Sequence, residues 1–181
     1  TPGLHGYDDG DDTWTHANAL DYDESEDVFY LGIRDLGSII KIDRQTGELL
    51  WGLSGHANTF EFIGEGTGWE IEHQFEVRDN RILVFDNGDV ERGSSYIQEY
   101  TLDLDQMTAE RTWFHEAEPS LFVYALGDVD SLPDDDVLIS WATSGFFQRV
   151  SRAGDIEWEL ASPLGYASGY TVVLDALYRE D

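Results

Sequence analysis

The sequence predicts an all-β fold of successive four-stranded blades, a β-propeller, and three observations carry the prediction. One unit of four strand-like runs recurs three times, in constant order although with little identity. Each run is short, rich in β-branched and aromatic residues, and bounded by Asp, Asn or Gly, as in Asp-Arg-Gln-Thr-Gly, Asp-Asn-Gly and Arg-Ala-Gly. The second run of each unit, VFYLGI, ILVF and VLISW, is almost wholly apolar, as expected of a strand sandwiched between neighbouring blades.

The elements follow in order. The first unit reads HANALDYD from His16, DVFYLGIRD from Asp27, SIIKIDR from Ser38 and GELLWGL from Gly47. The second reads HQFEVRD from His73, then RILVFDNG, SYIQEYTLD and AERTWFHE; the third reads GDVDSLP, DVLISWATSG, FFQRVSRAG and DIEWELAS. Trp51, Trp113 and Trp158 fall in the last run of successive units, where they are expected to pack the blades. The blades are expected at 13–60, 69–118 and 122–162, with one closing strand at 169–178 supplied by GYTVVLDALY. Residues 1–12, Gly- and Asp-rich and starting without Met, read as a linker from a processed or truncated product. Three blades and a strand make half of a six-bladed ring. An open fan would leave sheet faces uncovered, so the remaining blades are expected from the same longer chain or from a second copy.

Composition narrows the partners. The chain has 41% hydrophobic residues, enough for a core, yet carries 38 acidic against 10 basic residues, a formal charge of −28. Such a surface repels phosphate, so nucleic acid is not expected as a partner. The acidity fits either solubility at high salt or a secreted protein with many Asp-rich turns. No apolar run is long enough to span a bilayer, and the absence of cysteine removes disulfides, thiolate catalysis and cysteine-zinc sites. Gly-rich phosphate loops, nucleophile elbows and zinc-protease helices are also missing from the sequence. The clusters Asp8–Asp12 and Asp134–Asp136 lack the spacing of a calcium loop and read as solvated turns.

The segments DTWTHANALDYD and IIKIDRQTGELLWGLSG, with the strand between them ending at Arg34, resemble the central blade of the arylsulfotransferase family. EHQFEVRDNRILVFDNGDVER resembles the next blade of that family, and DVDSLPDDDVLISWATSG with IEWEL the one after, so the resemblance runs from about Thr13 to Tyr178. It implies a periplasmic or extracellular six-bladed propeller that moves a sulfuryl group between phenols through a histidine, without a cofactor. Carried over by position, His16 and His73 match active-site histidines and Arg92 the sulfate-binding arginine, and both histidines begin first strands, which line the central channel of a propeller. An imidazole can form the covalent intermediate, and a guanidinium suits sulfuryl oxygens because its planar fork donates several hydrogen bonds without losing charge. Asn18, on the same strand face as His16, is expected to orient the ring or a substrate, and Arg34 to face the channel or form an ion pair. His56 and His115 are expected to be solvated.

One departure keeps two functions open. The family's nucleophilic histidine aligns with TSGFFQRV, where this chain has Phe146 and Phe147. Either His16 or His73 takes that part, or the protein is a non-catalytic secreted or surface propeller that binds a partner or polymer. Turnover of an aryl sulfate separates the two.

Overall fold

Short β-branched runs separated by Asp- and Gly-containing turns pair in chain order into antiparallel sheets, because each turn returns the chain beside the strand it has just left. The computed structural model describes residues 15–162 and 167–172. The first blade consists of β1 (Ala17–Asp23), β2 (Val28–Ile33), β3 (Ser38–Asp43) and β4 (Leu49–Leu53), hydrogen-bonded in that order. A short strand, β5 (Glu61–Ile63), leads into the second blade of β6 (Glu72–Arg78), β7 (Arg81–Asp86), β8 (Tyr96–Asp103) and β9 (Thr108–Glu116). The third blade is β10 (Asp128–Ser131), β11 (Val137–Ser140), β12 (Phe146–Val150) and β13 (Ile156–Ala161).

The second sheet departs from the expected four strands. β5 lies parallel to β9, with Glu61 opposite Thr108 and Ile63 opposite Glu110, so the connection from the first blade adds a fifth, outermost strand to the second. Of the expected closing strand, residues 169–172 are described and are not in a strand, and 173–178 lie outside the described residues. The linker at 1–12 also lies outside them.

Two cores hold the blades together. Val28, Tyr30, Ile39, Trp51 and Leu53 of the first blade pack against Phe75, Ile82, Val84 and Tyr100 of the second. The opposite face of the second blade, with Leu83, Phe85 and Ile97, packs against Val129, Val137, Ile139, Trp141 and Val150 of the third. The alternation along β7 explains this: Ile82 and Val84 serve one core and Leu83 and Phe85 the other. The expectation of an apolar second strand therefore holds, and β7 is buried from Ile82 to Asp86.

The outer faces of the fan are different. On the first blade, Leu20, Leu31 and Ile40 stand in one cross-strand row, and Tyr22, Phe29 and Ile42 in the next, on the side away from the core; Leu20 is 65% exposed. On the third, Trp158 is 42% exposed and Leu160 59%. The tryptophan series thus splits: Trp51 is buried and Trp113 partly so, but Trp158 lies on the uncovered face instead of packing a blade. His115 is also corrected, being buried between Trp113 and Trp141 rather than solvated, whereas His56 is exposed. Asp134 and Asp136 hold Arg149, and Asp135 meets Arg81 and Arg152, so that acidic turn is occupied by ion pairs.

Candidate functional site

The innermost strands β1, β6 and β10 lie side by side, with β6 in the middle, and their leading ends carry most of the polar residues that the sequence singled out. Strand β1 starts from a left-handed residue, His16 (φ 44), whose carbonyl accepts a hydrogen bond from the Arg34 backbone N–H at 3.2 Å. Because Thr15 accepts from Asp35 in the same way (3.3 Å), the turn that follows β2 is stitched to the start of β1, and Arg34 comes beside His16. Gly37 ends that turn at φ 59, and a Cβ there would lie 2.5 Å from the Glu70 carbonyl oxygen. The turn is therefore pressed directly onto the segment that leads into β6.

Asn18 fastens the same junction, donating from Nδ2 to the carbonyl of Glu72 at 2.8 Å. The next residue on β6 is His73. Its half-buried ring faces the Gly127 carbonyl at the head of β10, and its basicity is lowered first by burial, then by the charges of His16 and Arg34. Nδ1 of His73 is buried and without a hydrogen-bond partner among the described residues. An imidazole kept neutral with an unengaged nitrogen can act as nucleophile, proton acceptor or ligand. His16, Asn18, Arg34 and His73 are thus brought together across two blades. Arg34 also pairs with Asp35, at 2.7 Å.

Arg92 is placed differently. Its Nη1 contacts Asp86 Oδ2 at 2.7 Å, Nε donates to the Ser94 carbonyl at 2.8 Å, and the guanidinium stacks over Tyr96 at 4.2 Å. The Asp-Asn-Gly turn makes this possible: Gly88 has φ 68, and a Cβ there would lie 2.2 Å from Arg92 Nη2. Asn87 anchors the turn, donating to the carbonyls of Val123 and Leu126 at 2.8 Å each. The half-buried charge of Arg92 is therefore bound to a carboxylate that is itself 0% exposed.

Asp86 and Glu72 are the residues that sequence reading missed. They stand directly opposite each other on β7 and β6, and both are fully buried. Asp86 is well supplied with donors: Arg92, the Gly88 N–H at 3.0 Å and Gln98 Nε2 at 2.8 Å. Neither oxygen of Glu72 completes a hydrogen bond among the described residues. Burial pushes Glu72 up to about 8, with Asp86 adding to the rise, while the nearby Trp69 indole and the Arg34 charge only partly offset it. A signal existed in the sequence: Asp86 is the one acidic residue closing an apolar second strand, and Glu72 directly precedes a candidate histidine. On β10, burial also raises Asp128 and Asp130, each to about 6.

The position expected for a third histidine is filled with hydrocarbon. Phe146, on β12, stacks on the buried Trp141 at 6.0 Å between centroids. Among the described residues, no cluster of His and carboxylate side chains suits a metal ion, and no helix is long and apolar enough to cross a membrane.

A family model described as "Arylsulfotransferase (ASST)" matches residues 4–163. A search of curated proteins finds no match. Among solved structures, the β-propeller domain of Myceliophteria thermophila Cps50 (Swd1) is similar, with a TM-score of 0.54 and 15% identity over 84% of this chain and 43% of that one. Saccharomyces cerevisiae Sqt1 follows, with a TM-score of 0.45 and 6% identity over 78% of this chain and 35% of that one. The first of these establishes the propeller fold, and this chain spans less than half the length of either structure.

Proposed function

Because the chain belongs to the arylsulfotransferase family, we propose that the junction of β1 and β6 handles a sulfuryl group passed between phenolic compounds. The observation that carries the reading is the meeting of His16, Arg34 and His73 at the head of two adjacent inner strands, where the arginine and an imidazole act electrostatically on His73. In this reading a ring nitrogen of His73 attacks sulfur, the ester S–O bond breaks, and the phenol oxygen leaves with a proton from the more exposed His16. The acceptor phenol then gives its proton to His16 as its oxygen displaces the His73 nitrogen, which regenerates both rings.

The uncovered apolar rows of the first blade, and the exposed Trp158 and Leu160 of the third, support completion of the ring by further blades, either of a longer chain or of a second copy. In keeping with the family, we place the protein in the periplasm or outside the cell. A second reading, a propeller that binds without turnover, is favoured by one observation, the phenyl rings of Phe146 and Phe147 where the family keeps its nucleophile.

The test is turnover of a chromogenic aryl sulfate with a phenol acceptor. Transfer that is lost in both His73→Ala and His16→Ala supports the proposal. Release of phenol without any acceptor identifies water as the acceptor. No turnover, with retained binding of the aryl sulfate, selects the binding propeller.

A further inference from the structure

Two fully buried carboxyl groups directly opposite each other on neighbouring strands cannot both be ionised at low cost, because their charges repel where water does not screen them. Their surroundings decide which one keeps its proton. Burial raises Asp86 as well, but Asp86 receives Arg92, Gln98 and the Gly88 N–H, whereas Glu72, with only its own N–H and the Trp69 indole near it, completes no hydrogen bond among the described residues. Glu72 is also tied to the candidate site through its main chain: its carbonyl holds Asn18, and the next residue is His73. We propose that Glu72 is the proton-holding member of a carboxyl pair with Asp86, and that its neutrality admits an oxyanion to the histidine junction.

Local charge decides whether an anion enters. With Glu72 neutral, the charged groups around the junction are Arg34 from the turn after β2, paired with Asp35, the two histidines, Asp86 already matched by Arg92, and Asp128 and Asp130 on the adjacent β10. Ionising Glu72 puts a negative charge, only partly offset by Arg34 and the Trp69 indole, into the buried wall one residue from His73, where it disfavours an anion at the junction. The pair divides the work as in other sites where two carboxyl groups are driven to opposite protonation states. Glu72 acts through His73 and the bound anion's surroundings, so it is a positioning residue. The inference rests on the proposed function only for the identity of the ligand, an oxyanion of the sulfate class.

The experiment uses this chain labelled with 13C at its histidine rings, followed by NMR from pH 7 to 9.5 with and without inorganic sulfate. This range lies above the titration of His73, whose basicity is already lowered. Without sulfate, the His73 ring signal is expected to show a step near pH 8 in the wild type and none in Glu72→Gln, which keeps the shape of the neutral acid. With sulfate, the apparent affinity read from the same signal should fall about tenfold per pH unit above that step, and stay level in E72Q. A wild-type signal without the step overturns the carboxyl pair, and this arm needs no variant to fold. Sulfate affinity that falls equally in both proteins overturns the gate while leaving oxyanion binding intact. A clear step with no sulfate binding at any pH overturns the oxyanion role and the proposed function with it, while the carboxyl pair stands.

Discussion

Replacing Glu72 by Gln should make the protein more stable, by an amount that depends on pH in a way that the buried pair dictates. Glu72 titrates at about 8 in the fold against 4.5 for the ordinary side chain, and the gap, at about 1.36 kcal/mol per unit, is worth about 5 kcal/mol. The sign follows from which state binds more protons. Below pH 4 both folded and unfolded chains are protonated at this site, so it contributes nothing. Between 4.5 and 8 the unfolded chain gives up the proton and the folded one keeps it, so folding is progressively penalised as pH rises. At pH 7 the penalty has reached about 3 kcal/mol, and above pH 8 it levels off near its full value.

Gln has the volume of the protonated acid and never ionises, so E72Q removes that slope. Urea unfolding of both proteins at pH 4, 7 and 9 measures it through the midpoint, at a constant dependence on denaturant. The expected gain for E72Q is close to zero at pH 4, about 3 kcal/mol at pH 7 and about 5 kcal/mol at pH 9. A difference that is the same at all three values, or a loss that grows with pH, would refute the assignment of a buried, unmatched carboxyl group. The latter would mean that Glu72 is ionised and paired.

Other changes test neighbouring parts of the same structure. Arg92→Ala strands the buried Asp86 carboxylate and should cost about 3–5 kcal/mol in urea at neutral pH, with the loss shrinking in acid as Asp86 takes up a proton; an unchanged loss at low pH would show that Arg92 acts through packing on Tyr96. Gly88→Ala forces a side chain into a φ of 68 and against the Arg92 guanidinium, so it should lower stability by more than the roughly 1–2 kcal/mol of left-handed backbone alone. Trp141→Ala empties the centre of the core between the second and third blades and should cost about 3–5 kcal/mol, with loss of the near-UV signal of the aromatic cluster Phe85, His115 and Phe146. His115 has its basicity lowered by burial, so both states are neutral above pH 6.5, and stability is lost below it as the unfolded chain takes up the proton first. His115→Phe should flatten that acid-side decline, and a decline of the same slope would show that His115 is not its source.

The propeller was legible because its signals are local. Apolar second strands, turns built on Asp and Gly, and a recurring order of runs all follow from period-two burial and turn chemistry, and β2, β7 and β11 lie where the apolar runs placed them. β5 was not legible: three residues, Glu61–Ile63, carry no pattern, and their parallel pairing with β9 depends on a contact made across more than forty residues of chain. The site divides along the same line. Histidines at the starts of first strands stood out from repeat order together with the family resemblance, but the state of Glu72 did not, because burial and a missing donor are properties of three elements at once. The register shift between Glu72 and Phe75 is part of the reason: simple alternation from Phe75, which faces the first core, gives no indication that Glu72 stands opposite Asp86. The same long-range dependence explains the ion pair of Arg92, at the position that the family resemblance assigns to sulfate binding, with Asp86 of its own blade, which no local pattern signalled. Asp86 thus bears on both features: it fixes the arginine by attraction and adds to the rise that burial imposes on Glu72. Asp86→Asn should therefore move both at once, loosening Arg92 from Tyr96 and shifting the His73 step toward lower pH, two effects that a purely packing role for Asp86 would not join.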